Sequence, residues 1–242
     1  MDMTAFFNAV RPMFGGSLTQ KQVDGCETLI GLYEQAAWPV EWAAYGLATA
    51  KWETAHTMQP IKEYGSDAYF TKMYDITGSR PDVAKALGNT QPGDGAKYCG
   101  RGYVQLTGRT NYTRAGPKVG ADLVNYPDLA LDPTIAGQVM IAGMTDGWFT
   151  GKKLADYLGN GKTDYVNARR IINGTDHANE IAVIAKQFEA ALRTAGYGQG
   201  AALPDLPEPV PPSAATAGFM AGFIAAFKAL SVALANIFKG AS

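Results

Sequence analysis

The chain has 242 residues, 47% of them hydrophobic, enough for one sizeable core or for one domain with an appendage. Its 21 basic and 22 acidic residues leave a formal net charge of −1, which argues against a basic nucleic-acid face. With two histidines and two distant cysteines, Cys26 and Cys99, a metal site is not expected, and neither is a cofactor.

The first segment, MDMTAFFNAVRPMFGG, carries an acid at position 2 and no basic run before an apolar stretch. It does not read as a cleavable signal peptide, so a protein made in the cytoplasm would need another route to an outside target. SLTQKQVDGCETLIGLYEQAAW sets Val23, Cys26, Ile30 and Tyr33 on one helical stripe, with Ser17 or Thr19 as N-cap. A second helix is predicted from about Glu41 to His56. RPDVAKALG reads as a short helix opened by proline and stopped at Gly88. TQPGDGAKYCGRGY is a Gly-rich loop, and VQLTGRTNY after it has some β character. PTIAGQVMIAGMTDGWF, DYVNARRIIN and ANEIAVIAKQFEAALRTAG read as helices, the last closed by Ala-Gly. Cys26 and Cys99 are expected to be two separate buried thiols rather than one disulfide.

Composition changes near residue 204. PDLPEPVPP is a stiff proline-rich linker, assigned to 201–212, and it divides a mainly helical domain, 1–200, from a terminal segment, 213–242. In that last segment Phe219, Met220, Phe223, Ile224, Phe227, Leu230, Leu234, Ile237 and Phe238 share one helical side, opposite Lys228 and Lys239. Lys228 interrupts the apolar run, so the pattern fits a helix lying in an anionic membrane interface through 213–239 better than a spanning one. Docking on the domain and self-association are the competing readings.

Two glutamates carry the chemical signal. On the second helix Trp42, Gly46, Thr49 and Glu53 fall in a narrow arc, with Lys51 nearly opposite. Glu53 therefore points with the apolar face, where burial disfavours its charge and suits it to act as a general acid. A structural ion pair is the competing explanation. Pro60 prevents the helix from continuing, so Glu63 lies on a returning segment, IKEYG. Two carboxylates across a cleft are the equipment of a glycosidase. A gap of roughly 6.5–9.5 Å admits a water and gives inversion, whereas about 5 Å gives retention. GRGYVQLTGRTNY adds glycines that admit close backbone approach and the neutral polar groups Gln105, Thr107, Asn111 and Tyr112, which suit sugars.

The set WETA, KEYG, GRGYVQLTGRTNY and RIINGT is similar to glycoside hydrolase family 19, above all to its short phage-type endolysins, relatives of plant chitinases. The resemblance covers roughly residues 5 to 197 and implies a lysozyme-like, mainly α fold of two lobes around a cleft with a small β/loop element. By matching position, the resemblance implies that Glu53 is the general acid, Glu63 the general base and Thr107 the hydroxyl that holds the attacking water. Gln105, Asn111, Tyr112 and Asn173 would line the sugar cleft, and Tyr64 and Arg101, inside the same motifs, complete the expected substrate-binding set. The implied partner is the peptidoglycan glycan strand, cleaved with inversion by a monomeric endolysin. A chitinase, or a membrane-active module on an inactive scaffold, are the rivals. The sequence departs from the family in Trp52, where a histidine is usual, in the short run between the glutamates, and in the lack of an arginine after INGT. Arg101, Arg109 or Arg169 is therefore expected to tune Glu63.

Overall fold

A computed structural model describes residues 1–199; the linker and the terminal helix expected at 201–242 lie outside the described residues. The first helix, α1 (Met3–Val10), is capped by the Asp2 carboxylate, which accepts from the Ala5 amide. A 3-10 turn at Arg11–Phe14 leads to α2 (Gln20–Gln35). Thr19, rather than Ser17, is its N-cap, in a reciprocal box with Gln22 that satisfies two otherwise orphaned amides. Cys26, Ile30 and Tyr33 of the expected stripe are buried.

The central helix is α3 (Val40–Glu53). Its small residues, Ala43, Ala44, Gly46, Ala48 and Ala50, let neighbouring elements approach closely on several sides. A Cβ on Gly46 would stand 2.6 Å from the Tyr33 hydroxyl oxygen, so glycine is what lets the stacked Tyr33–Trp38 pair cross the helix. The helix ends at Glu53 and not at His56 as expected. The Thr54 hydroxyl closes it by donating to the Ala50 carbonyl while accepting from the Met58 amide. Ala55, His56 and Met58 then adopt positive φ, which turns the chain sharply.

Next come β1 (Ile61–Lys62), α4 (Asp67–Tyr74), α5 (Pro81–Ala86), α6 (Asp94–Lys97) and β2 (Arg101–Gly102). β1 pairs antiparallel with β2, Ile61 opposite Gly102 and Lys62 opposite Arg101. α4 packs on α5 and α6 to form the smaller helical group. The β character expected for 104–112 is confined to a bridge between Arg101 and Leu106. At Gly108, φ of 88° breaks the extended path, and α7 (Arg109–Val119) begins at the next residue.

A 3-10 turn at Pro127–Leu131 precedes α8 (Pro133–Asp146), then α9 (Leu154–Tyr157), β3 (Leu158–Gly159), β4 (Lys162–Thr163), α10 (Tyr165–Ala168) and α11 (Ala178–Thr194). The helix expected over 164–173 is only one turn of α10 followed by a 3-10 turn, Arg169–Ile171. α11 packs along α3 and also meets α1 and α10, while α2 packs on α8. The architecture is mainly α with small sheets, as expected for a lysozyme-like fold. Cys26 and Cys99 are both buried free thiols.

The packing corrects one local reading. Lys51 was expected opposite the apolar arc, yet it is buried, with its ammonium over the Phe14 ring at 5.2 Å. α3 is covered on that side as well, and burial lowers the lysine's affinity for its proton.

Candidate active site

Glu53 is the last residue of α3, buried at 4% exposure. A carboxylate at a helix C-terminus faces the negative end of the helix dipole and needs a compensating charge. Arg169 supplies it: its Nη1 donates to Glu53 Oε1 at 2.5 Å, and its Nε donates to the Asp176 carbonyl at 3.1 Å. The arginine is itself 1% exposed. A guanidinium has only donors, so Oε1 must act as acceptor and any proton on Glu53 resides on Oε2. Oε2 has no hydrogen-bond partner among the described residues. The ion pair weighed as a competing explanation for Glu53 is therefore present, and it leaves one carboxylate oxygen free.

Glu63 follows β1 directly and is 5% exposed, although it lies on a connecting segment. Its amide donates to the Gly100 carbonyl, which extends the β1–β2 pairing by one rung. Oε1 accepts from the Tyr74 hydroxyl at 2.8 Å and Oε2 from the Gly100 amide at 3.1 Å. Burial pushes the Glu63 carboxyl above its ordinary value, and these two donors restrain the rise. None of the three arginines expected to tune Glu63 does so by direct contact. Arg101 binds Asp128 and the Tyr112 hydroxyl, Arg109 binds Asp94, and Arg169 binds Glu53.

Gln105, in the left-handed region at φ 52°, is anchored by Nε2 donating to the Ile61 and Gly102 carbonyls. Its Oε1 turns toward Glu63. A Cβ placed on Gly100 would meet Gln105 Oε1 at 2.8 Å, Glu63 Oε2 at 3.2 Å and Thr107 Oγ1 at 3.3 Å. Three side-chain oxygens thus converge over one glycine. The Thr107 hydroxyl donates to the Gln105 carbonyl at 2.8 Å, which leaves its lone pairs for an incoming donor. Asn111 Nδ2 donates to the Thr107 carbonyl from the first turn of α7.

The remaining expected residues divide. Tyr64 is 71% exposed beside Glu63 and presents a free aromatic face. Asn173 sits one turn after Arg169 and, like Asn111, keeps one buried amide atom without a partner. Tyr112 is fully buried; its hydroxyl donates to the Cys99 carbonyl and accepts from Arg101, so it braces the loop from inside rather than facing solvent. Arg101 is likewise buried, donating to the Lys97 and Cys99 carbonyls. Sequence reasoning missed Tyr74 and the Gly100 amide. A weak signal existed for Tyr74: Ser66 followed by DAYFTKMY is an N-capped amphipathic turn. Among the described residues, no three His, Cys, Asp or Glu side chains gather to hold a metal ion.

Comparison with known proteins places this arrangement. Residues 36–153 match the class I chitinase model of glycoside hydrolase family 19, the family that the motifs resemble. An endochitinase of Arabidopsis thaliana is 31% identical over 172 residues, which are 69% of this chain and 56% of that protein. The acidic 27 kDa endochitinase of Solanum lycopersicum is 50% identical over 48 residues, 19% of each chain. The chain thus spans less than two thirds of the length of these relatives. Chitinase C from Streptomyces griseus HUT6037 shares the fold, with a TM-score of 0.53 and 19% identity over 84% of this chain and 79% of that one.

Proposed function

We propose that this chain is a glycosidase that hydrolyses the glycan strand of bacterial peptidoglycan with inversion, as an endolysin. Glu53 donates the proton on Oε2 to the glycosidic oxygen as the bond from that oxygen to the anomeric carbon breaks. Glu63 takes a proton from a water held at Thr107 and Gln105 as that water's oxygen bonds to the anomeric carbon. The product is a hemiacetal of opposite configuration. The observation that carries the reading is the unequal dressing of two buried carboxylates. One is clamped by an arginine with an oxygen left free; the other shares a three-oxygen cluster over a glycine.

Chitin is the second substrate to test, because the relatives compared above are named as chitinases. Release of reducing ends from purified sacculi and from chitin, with the anomer of the first product read by proton NMR, separates the two. Faster turnover of sacculi with an inverted first product supports the proposal, and turnover of chitin alone moves the chain to the chitinase reading. The segment 213–239 is proposed to hold the enzyme at an anionic membrane beside its wall substrate, and the active form is proposed to be a monomer. A membrane-active module on an inactive scaffold would instead leak liposomes with E53Q as well as with the unmodified chain.

A further inference from the structure

Tyr74 lies outside every motif that marks the site, yet its hydroxyl is the only side-chain donor to Glu63 among the described residues. The position of that hydroxyl is built, not incidental. The Tyr74 ring stacks on Phe70 at the end of α4. Its backbone carbonyl accepts from Asn89 Nδ2 at 2.9 Å, and Asn89 Oδ1 accepts from the Arg109 amide at 2.8 Å, two residues from Thr107. The next residue, Asp75, is fully buried and accepts from the Gly93 and Gly95 amides at 2.8 and 3.1 Å. Those glycines lie at the start of α6, the one-turn helix that leads into Gly100, the other donor to Glu63. One short stretch, Tyr74–Asp75, therefore fixes both donors of the same carboxylate relative to each other.

We propose that Tyr74 positions Glu63 for catalysis: its phenol and the Gly100 amide hold the two carboxylate oxygens in a frame that Asp75 and Asn89 set. The proposal rests on Glu63 being the base of a glycosidase. Burial and the neighbouring Glu63 charge keep the phenol well above its ordinary value, so it donates throughout the working range. A donor to a carboxylate favours its charged form, so the phenol keeps the base available at lower pH. Other ionisable groups meet the same charge. Tyr69 of α4 and the Cys99 thiol feel Glu63; Lys62 and Arg101 act on Cys99, and Arg80 acts on both tyrosines. Tyr69 and Cys99 are held above their ordinary values, mainly by burial, so neither changes charge in the acid range.

The test is the pH dependence of kcat and KM on sacculi for the full chain and for Y74F. A lost hydrogen bond to a charged acceptor translates into roughly a 10-fold or greater fall in kcat on the acidic limb. The limb itself should move to higher pH while KM changes little. Incorporation of 3-fluorotyrosine at position 74 retains the hydroxyl as a stronger donor and should move the limb the other way. It also serves if Y74F does not fold. An unmoved limb in both proteins overturns the proposal, as does a pH-independent loss that matches a packing defect. A titration of the Glu63 side-chain carboxyl by carbon-13 NMR separates this from failure of the glycosidase reading. If the unmodified chain cleaves no glycan, the base role falls. The Glu63 titration should still rise in Y74F if Tyr74 sets its charge, and an unchanged titration contradicts that.

Discussion

Glu53 and Arg169 stand 116 residues apart in sequence and meet at 2.5 Å with 5% and 2% of their side chains exposed. Neither charge could be tolerated there alone. The pair also joins the C-terminus of α3 to the 3-10 turn after α10, so it fixes where the free Glu53 oxygen points.

Removing the arginine should therefore cost more than activity. Breaking a buried pair from one side typically costs about 3–5 kcal/mol. For a domain of this size that corresponds to a fall in Tm of roughly 6–20 °C in R169M. E53Q should cost less, because its amide oxygen can still accept from Arg169. Adding E53Q to R169M should restore part of the loss, since no unpaired charge then remains. Calorimetry on the four proteins of this cycle is the check, and additive losses would show that the pair is not coupled.

Glu63 gives a prediction of opposite sign. Burial raises its folded-state value above the unfolded one. Its contribution to stability is thus complete below the unfolded value and is lost as pH rises through the folded value. E63Q removes that loss. The variant should melt above the unmodified chain at pH 8, with the difference shrinking toward pH 4, while glycan cleavage falls sharply. Melting curves across this range decide it; a gap that widens toward acid would mean that Glu63 is stabilised as an anion.

Gly100 tests the oxygen cluster without touching a carboxylate. Its backbone is not in the left-handed region, so alanine fits the chain, but the new methyl would land among Gln105, Glu63 and Thr107. If a water is held there for attack, G100A should lower kcat by about 100-fold or more, as misplacement of a reacting group does, while substrate binding changes little. Kinetics near those of the unmodified chain would move the attacking water elsewhere.

Much of this was legible locally, and the rest depended on distance in the chain. Helical periodicity put Glu53 on the right arc because its neighbours four and seven residues back, Thr49 and Gly46, lie on the same helix. The same periodicity put Lys51 in water, because no local pattern reports that Phe14 covers that side. The arginine that serves Glu53 comes from the 3-10 turn after α10, a stretch too short for its periodicity to give an orientation. The start of α7 was read as β since Val104 and Thr107 favour strands, and positive φ at both Gln105 and Gly108 breaks that path. The role of Tyr74 was missed for a different reason. Its partner, Glu63, is 11 residues away, across a turn and the length of α4, and no residue type announces such a bond.

The terminal segment makes a separate prediction. Deleting 213–242 should leave hydrolysis of isolated sacculi nearly unchanged and abolish co-sedimentation with anionic liposomes. A much lower melting temperature in the truncated chain would make the segment a structural brace instead.

The measurement that bears most directly on the central claim is mass spectrometry of the fragments released from purified sacculi by the full chain and by E53Q. The account expects disaccharide-containing muropeptides with new reducing ends and uncut peptide stems, and a fall in their release of about 10²–10⁴-fold in E53Q. Fragments cut at peptide bonds, no release at all, or an E53Q protein that keeps more than about a tenth of the unmodified activity would contradict it.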